Sequence, residues 1–300
     1  MNKLIIALII IVLAGIGYYF LFPSLPVSNT LDTTKKTEVS TSTLPAKEEV
    51  KKNLNETIIG KSVDRNPITA YHYGTGEKEL MFVGGIHGGY SWNTVLVAYE
   101  MMDYLKANPN VVPANIKVTV IPVLNPDGLK KVVGTTDRFT SADVPTALSD
   151  TVPGRFNSRN VDLNRNFDCE WQATGKWQNK TVSGGSTAFS EPESQAIRNY
   201  VQTHKLTAVV TYYSAAGGVY ASSCDNGIST ETRIIMKEYS QASGYTAYDN
   251  FDFYEITGDM VNWFAKNNIP AISVLLTNHT DTEWTKNKKG LEALLKYYTK

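Results

Sequence analysis

Short apolar runs alternate with amphipathic segments along most of this chain. The apolar runs have the length and residue types of buried strands, and they lie at residues 80–83, 118–124, 207–213 and 271–276. Helical periodicity is found at residues 92–106, 191–204, 230–239, 259–266 and 288–298. Buried strands that alternate with amphipathic helices predict an α/β domain with a mixed, mostly parallel sheet that is covered by helices.

Residues 4–22 are apolar or small and carry no charge. As a helix this run would span about 28 Å, close to the hydrocarbon thickness of a bilayer. Lys3 precedes the run, and the flank that follows is uncharged as far as Asp32. The pattern predicts a signal anchor at residues 1–22 with the N-terminus inside the cell, and a cleaved signal peptide is the alternative.

A polar segment separates this run from the α/β pattern. Residues 23–56 are rich in Ser, Thr, Lys, Glu and Pro and contain no aromatic residue, which predicts a flexible stalk. Residues 57–300 are long enough for one α/β domain. We therefore expect a membrane-anchored protein whose single folded domain lies outside the cytoplasm, or a secreted one if the signal is cleaved.

Charge and cysteine content exclude several classes of protein. The chain has 29 Lys+Arg and 29 Asp+Glu, and this balance lacks the basic field of a nucleic-acid binder. Two cysteines are too few for a disulfide scaffold or a thiolate metal centre. On the expected topology both lie outside the membrane, so a single disulfide between Cys169 and Cys224 is favoured over two free thiols.

Polar and glycine-rich strings lie in the loops of the α/β pattern. They are Gly-Gly-Ile-His-Gly-Gly-Tyr-Ser at 84–91, Asn-Pro-Asp-Gly at 125–128, Asp-Leu-Asn-Arg-Asn-Phe at 162–167, Ser-Glu-Pro-Glu at 190–193 and Tyr-Glu-Ile-Thr-Gly at 254–258. Ligands of such folds bind beyond the carboxyl ends of the strands, where these loops collect. The string at 190–193 predicts a helix start with Ser190 as its cap.

In order and composition, these strings resemble the zinc carboxypeptidases of the carboxypeptidase A type, from about residue 60 to the C-terminus. The resemblance implies a twisted, mixed eight-stranded sheet flanked by helices. It also implies a zinc ion held by His, Glu and His, a water in the fourth position, and a separate Glu that takes the water's proton. Arg155 matches the arginine that polarises the scissile carbonyl, and Arg159 is a nearby alternative.

The substrate-binding half of the family pattern is retained. The resemblance implies that Asn164 and Arg165 grip the terminal carboxylate of a peptide, since a guanidinium fits two oxygens. Tyr254 matches the tyrosine that folds over bound substrate. Val261 falls where the family sets its side-chain preference. Peptide C-termini are therefore the expected ligands.

Most of the zinc ligands of the family pattern, and its catalytic Glu, are replaced. His87 matches the first ligand, but Tyr90 and Ser91 stand at the two spacings where the family has its Glu. We assign the vacated ligand position to Ser91, the spacing of close variants with one extra residue. Tyr213 replaces the second His, and Leu275 replaces the catalytic Glu. A hydroxyl, a phenol and an alkyl group are poor substitutes for these residues. We expect zinc to be absent or weakly bound.

These observations favour a pseudoenzyme that keeps the pocket for a peptide carboxylate but is inactive or strongly impaired as a metallocarboxypeptidase. The alternative is an active zinc metallocarboxypeptidase that removes C-terminal residues from peptides or wall-peptide stems with a rearranged metal site. His279, Asp281 and Glu283 follow the last strand and are the groups that such a site could recruit. A plain structural or adhesion domain is a third possibility.

Overall fold

The computed structural model describes residues 55–225 and 227–300. The predicted signal anchor at residues 1–22, and the predicted stalk up to residue 54, lie outside the described residues. No helix within the described ranges is long and apolar enough to cross a membrane.

The centre of the domain is an eight-stranded mixed sheet. Its strands are β1 (Glu56–Lys61), β2 (Pro67–Tyr73), β3 (Lys78–Val83), β4 (Ile116–Ile121), β7 (Leu206–Ser214), β8 (Gly218–Ala221), β9 (Ala247–Tyr248) and β10 (Ala271–Leu276). The strand order is β1-β2-β4-β3-β7-β10-β8-β9. β4, β3, β7 and β10 are mutually parallel, and antiparallel pairs join β1 to β2, β2 to β4, and β8 to β10. The expected α/β class with a mixed eight-stranded sheet is confirmed.

Helices cover both faces of the sheet. They are α1 (Trp92–Ala107), α2 (Pro126–Val133), α3 (Leu148–Thr151), α4 (Pro192–Thr203), α5 (Thr230–Ser243), α6 (Met260–Lys266) and α7 (Trp284–Thr299). Alternate residues of a strand point to opposite faces, and in β3 Leu80 and Phe82 join one apolar cluster whereas Met81 and Val83 join the other. Helices α1, α5 and α7 pack in the first cluster, and α4 and α6 in the second.

Some boundaries differ from the sequence patterns. β4 ends at Ile121 because Pro122 has no N–H to donate to the ladder. Helix α4 begins at Pro192 with Glu191 in the cap position, so the prediction of Ser190 as cap is wrong; the Ser190 hydroxyl donates instead to Glu191 Oε1. A separate hairpin of β5 (Thr174–Trp177) and β6 (Lys180–Ser183) was not indicated by the apolar pattern.

Cys169 and Cys224 form a disulfide, as the sequence favoured. Their Cα atoms are 6.2 Å apart, and the bond joins the segment after the 162–167 string to the segment after β8. The backbone carbonyl of Cys169 also accepts a hydrogen bond from Gly258 N. The covalent link therefore fixes two loops that lie beside the candidate site.

Candidate functional site

A cavity of about 610 Å³ lies at the carboxyl ends of β3, β7 and β10. Tyr213 and Leu275 are direct neighbours in the parallel pairing of β7 with β10. Most sequence-predicted site residues line the cavity, namely His87, Arg155, Asn164, Tyr213, Tyr254, Val261 and Leu275. Tyr90 and His279 line it as well. Ser91 and Arg165 are buried but are not part of its lining.

The loop that carries His87 depends on glycine for its path. Gly85 and Gly88 have φ values of 62° and 43°, which lie in the left-handed region. A Cβ on Gly88 would lie 2.7 Å from Gly154 O and from Leu129 N. This close approach brings the loop after β3 against the segment that ends in Arg155.

His87 is a neutral imidazole in this site. Its side chain is buried, and its Nε2 lies 3.4 Å from Asp162 Oδ1. Burial and the positive charge of Arg155 together lower the pKa of His87 to about 4, against the opposing influence of Asp162. The ring is therefore uncharged at neutral pH and forms no hydrogen bond of good geometry with the described residues.

Arg155 and Asp162 form a buried ion pair. Arg155 Nε and Nη2 lie 2.9 and 2.8 Å from Asp162 Oδ2, whereas Nη1 forms no hydrogen bond within the described residues. Burial would raise the pKa of Asp162, but the guanidinium charge and the contact with His87 hold it well below its usual range. The guanidinium lies 4.5 Å from the ring centroid of Trp177 and 5.6 Å from that of Tyr90. Arg155 is thus a fixed cation in the cavity wall.

Asn164 and Tyr213 belong to a hydrogen-bond network. Tyr213 Oη donates to Asn164 Oδ1 over 3.1 Å, and Met260 N donates to the same oxygen over 3.2 Å. Asn164 Nδ2 donates to Asp259 Oδ2 over 2.8 Å. Burial, with the nearby charge of Asp259, raises the pKa of Tyr213 well above its usual value, so the phenol stays protonated.

Arg165 points its guanidinium at backbone carbonyls. Its Nε and Nη2 donate to Lys176 O over 3.2 and 2.7 Å, and its Nη1 donates to Asn164 O over 2.6 Å. A Cβ on Gly175 would lie 2.7 Å from Arg165 Cδ, which explains the glycine in β5. In this conformation Arg165 holds the β5–β6 hairpin against the domain.

Tyr254 and Val261 also line the cavity. The ring of Tyr254 packs against Phe251 at a centroid distance of 5.0 Å and joins a small apolar cluster with Tyr90 and Trp177. Val261 is buried in the first turn of α6 and lines the cavity. Asp259 begins this helix by accepting a hydrogen bond from Asn262 N.

The side chains that the resemblance places at the metal positions do not fit zinc. Zinc in proteins is bound by neutral imidazole nitrogens, thiolate sulfurs and carboxylate oxygens. Here one imidazole is accompanied by a protonated phenol, which is none of these donors. Of the two positions for the missing Glu, Tyr90 lines the cavity, whereas Ser91 is the N-cap residue of helix α1 and is 1% exposed. Over the described ranges, no cluster of three or more His, Cys, Asp or Glu side chains is arranged to hold a metal ion.

The groups that a rearranged metal site could recruit are mostly engaged elsewhere. His279 lines the cavity, with its ring 4.7 Å from that of Tyr90. Glu283 accepts hydrogen bonds from Tyr245 Oη and Thr277 N, and Asp281 Oδ1 accepts one from Glu283 N. Only His279 of the three therefore faces the cavity.

Sequence reasoning did not assign a role to three residues that shape the site. Asp162 lies two residues before Asn164 in the same string. It is far from His87 in the sequence, so no local pattern shows that the two side chains are in contact. Asp259 could have been identified as a helix cap, but its bond to Asn164 depends on the tertiary fold. Trp177 stands in a polar stretch, and an aromatic residue in that setting is the signal that could have revealed it.

Comparisons with known proteins agree with this architecture. Residues 42–291 match the profile of the zinc carboxypeptidase family, peptidase family M14. Carboxypeptidase B of Helicoverpa zea is 26% identical in an alignment of 168 positions that covers 54% of this chain and 38% of that protein. Mast cell carboxypeptidase A of Rattus norvegicus is 27% identical in an alignment of the same length that covers 52% of this chain and 39% of that protein. The matches thus span well under half the length of these relatives.

Solved structures share the fold at low sequence identity. Bovine thrombin-activatable fibrinolysis inhibitor, in complex with a tick carboxypeptidase inhibitor, superposes with a TM-score of 0.62 and 16% identity over 81% of this chain and 88% of that chain. Murein-tripeptide amidase of Escherichia coli O157 gives a TM-score of 0.56 and 18% identity over 80% of this chain and 91% of that chain. On the family profile, which covers most of its length, the chain belongs to the zinc carboxypeptidase family.

Proposed function

We propose that this chain is a membrane-anchored, extracytoplasmic carboxypeptidase-like protein that binds peptide C-termini and does not hydrolyse them. The observation that carries the proposal is the content of the cavity at the strand ends. A protonated phenol bonded to Asn164 and the alkyl chain of Leu275 fill the positions of a ligand and the base, while the cation Arg155 remains in the wall. The site can attract an anion, but the described side chains at the positions of the missing ligand and base offer no group that activates water.

Arg155 is the residue best placed to receive a carboxylate. Asp162 fixes two of its nitrogens, and the ring of Trp177 holds the guanidinium plane, so a ligand would meet a pre-oriented donor at Nη1. Hydrogen bonds between ionised partners are about twice as strong as neutral ones. Asn164 and Arg165, which the resemblance assigns to the carboxylate, donate instead to Asp259 and to backbone carbonyls. Arg155 therefore carries the preference for a free C-terminus.

The disulfide supports a location outside the cytoplasm. Bonds such as Cys169–Cys224 form and persist in oxidising compartments and are rare where thiols are kept reduced. This agrees with an anchor at residues 4–22 that exports the rest of the chain. Peptides or wall-peptide stems outside the cell are the proposed ligands.

A second candidate function is an active zinc carboxypeptidase with a rearranged metal site. The observation in its favour is that the imidazoles of His87 and His279 line the same cavity. It requires further donors, which Tyr90, Tyr213 and Leu275 do not supply. Zinc bound in stoichiometric amount, together with release of C-terminal amino acids, would establish it and end the pseudoenzyme proposal.

The test uses the purified full chain in detergent micelles. Zinc content is measured after equilibration with zinc and desalting, and amino-acid release from an acetylated peptide is compared with that of an active pancreatic carboxypeptidase. We expect neither stoichiometric zinc nor release. Calorimetry with the same peptide as free acid and as amide should show the acid binding at least about tenfold more tightly.

A matched variant locates this preference. Arg155→Gln combined with Asp162→Asn removes the cation without leaving a buried carboxylate unpaired. The double variant should bind the acid and the amide equally. Arg138→Gln, which breaks an exposed pair with Asp103 elsewhere on the domain, should keep the difference. Equal binding of acid and amide by the unaltered chain would leave only the structural or adhesion domain.

A further inference from the structure

The β5–β6 hairpin forms a separate wall of the cavity. Its strands make a two-stranded sheet of their own, outside the eight-stranded sheet. Trp177 and Val182 are buried with Tyr90 in a small apolar cluster. The turn between the strands consists of Gln178 and Asn179, and both residues line the cavity. The hairpin thus brings two primary amides to the cavity.

Contacts on both strands hold the hairpin in this position. On β5, Arg165 Nε and Nη2 donate to Lys176 O. On β6, Ser183 O accepts a hydrogen bond from Asp162 N over 3.0 Å. The side chain of Asp162 also orients the guanidinium of Arg155. One residue therefore holds both the hairpin and the cation, which limits their movement relative to each other.

Trp177 connects the turn to the cation. Its ring centroid lies 4.5 Å from the guanidinium of Arg155 and 5.2 Å from Lys180 Nζ, so the ring contacts a cation on each side of the hairpin turn. Gln178 follows Trp177 directly, and consecutive Cα atoms are about 3.8 Å apart. The turn therefore begins one residue after the side chain that packs on Arg155.

The side chains of Gln178 and Asn179 have free hydrogen-bonding groups. Both are exposed, and neither side chain forms a hydrogen bond with another described residue. A primary amide has two N–H donors and a carbonyl oxygen that accepts, and a peptide main chain offers the complementary C=O and N–H of each residue. Because these groups are neutral, their attraction does not depend on the charge balance among Arg155, Asp162 and Asp259.

We propose that Gln178 and Asn179 form a subsite for the main chain of the bound peptide, upstream of its last residue. The inference rests on the proposed function, because it places the terminal carboxylate of the peptide at Arg155. An extended chain advances about 3.3–3.6 Å per residue, so the main chain of the second and third residues from the C-terminus meets the turn. The ligand is then a peptide of at least three residues whose main-chain amides are unmodified.

The experiment uses the full chain in detergent micelles and acetylated peptides of one, two, three or four alanines, each as free acid and as amide. In two further versions of the three-residue peptide, one of the bonds between its alanines is an ester, which removes a single N–H donor at nearly constant shape. Calorimetry should show about three- to tenfold tighter binding for three alanines than for one, and a loss of about threefold or more for at least one ester. A fourth alanine should add little.

A double variant tests the turn directly. Gln178→Met with Asn179→Ala removes both amides, and methionine keeps the length of glutamine. In this variant, peptides of one and three alanines should bind to within about twofold of each other, and the esters should match the three-residue parent peptide. Gln172→Met, at an exposed glutamine that precedes the hairpin and does not line the cavity, is the matched control and should keep the full gain.

The outcomes separate this subsite from the proposed function. If the unaltered chain binds one and three alanines equally and both esters bind as well as their parent, or if these differences survive Gln178→Met with Asn179→Ala, the main-chain subsite is wrong. The ester series needs no variant, so it decides the matter even if the double variant does not fold. Equal binding of free acids and amides would overturn the proposed function at Arg155, while the length and ester series, compared among the amides alone, still test the turn.

Discussion

The hydroxyl of Tyr213 donates a hydrogen bond to the side-chain oxygen of Asn164 over 3.1 Å. Tyr213→Phe removes this donor and keeps the ring in place, and Asn164 Oδ1 still accepts from Met260 N. Denaturant unfolding should therefore show a loss of about 1 kcal/mol. Tyr248→Phe, at a tyrosine 41% exposed, should change the free energy of unfolding by far less. An unaltered stability in Tyr213→Phe would mean that the bond contributes nothing to the network.

The proposed assignment of the metal positions predicts how a zinc site could be built. Tyr90→Glu, Tyr213→His and Leu275→Glu together should give a variant that binds zinc in stoichiometric amount, measured by elemental analysis and calorimetry, and some release of C-terminal residues should follow. Because the Tyr90 side chain lines the cavity and Ser91 does not, we expect the version with Ser91→Glu in place of Tyr90→Glu to bind less zinc. No gain in zinc in either version over the unaltered chain would contradict the assignment of these positions.

The sequence predicted the strands that are continuous apolar runs and missed the shorter or more polar ones. The runs that became β3, β7 and β10 are continuous and apolar, whereas β1 has one of the largest exposed apolar side chains, Ile58, and β5 and β6 are mostly polar. Antiparallel edge strands and hairpins depend on pairing partners that no local pattern shows. The alternation of strands and helices was nevertheless enough to establish the α/β class.

The sequence predicted which segments form the site, but it predicted less well where their side chains point. The strings at 84–91 and 162–167 do meet at the strand ends, because parallel strands place their carboxyl ends together. The Arg165 guanidinium donates to Lys176 O. The tertiary fold brings the hairpin that carries this carbonyl to Arg165, so the direction of the side chain could not be predicted from the sequence. The choice between Tyr90 and Ser91 likewise depends on where helix α1 begins.

Arg165 is expected to hold the β5–β6 hairpin in place. Arg165→Lys keeps the charge but not the two bonds to Lys176 O, because an ammonium lacks the planar fork of the guanidinium. Hydrogen exchange should become faster in the amides of residues 174–183 and stay unchanged in β3. Arg233→Lys, at an exposed pair, is the control. Unchanged exchange in the hairpin would show that other contacts hold it.

The disulfide should make a large contribution to stability. Cys169 and Cys224 are 55 residues apart, and a cross-link over such a loop is typically worth about 2–4 kcal/mol. Cys169→Ser with Cys224→Ser should lower the free energy of unfolding by that amount. Reduction of the unaltered chain should have a similar effect, and reduction of the double variant should have none.

Glu79 should make the domain sensitive to acid. Its side chain is buried, and burial alone would raise its pKa, but hydrogen bonds from Lys117, Thr119 and Tyr200 lower the pKa below the ordinary 4.5. The folded state thus binds a proton less readily than the unfolded state, so this contribution is complete above pH 4.5 and is lost as the pH falls through the lower folded pKa.

The Glu79→Gln variant tests this linkage. Denaturant unfolding should show a difference from the unaltered chain that is largest at neutral pH and shrinks in acid. Glu77→Gln, at the exposed neighbouring acid, should follow the pH dependence of the unaltered chain. If the difference in free energy of unfolding stayed constant across the acid range, the stabilising effect of Glu79 would come from the shape of its side chain and not from its charge.

Tyr213 and Leu275 sit side by side where β7 and β10 reach the cavity, and the ladder between these strands is built from backbone atoms. The identity of either side chain can therefore change without altering the pairing beneath it. A few substitutions at such positions are enough to convert a catalytic site into a binding site on the same backbone, and protein design can make the opposite change.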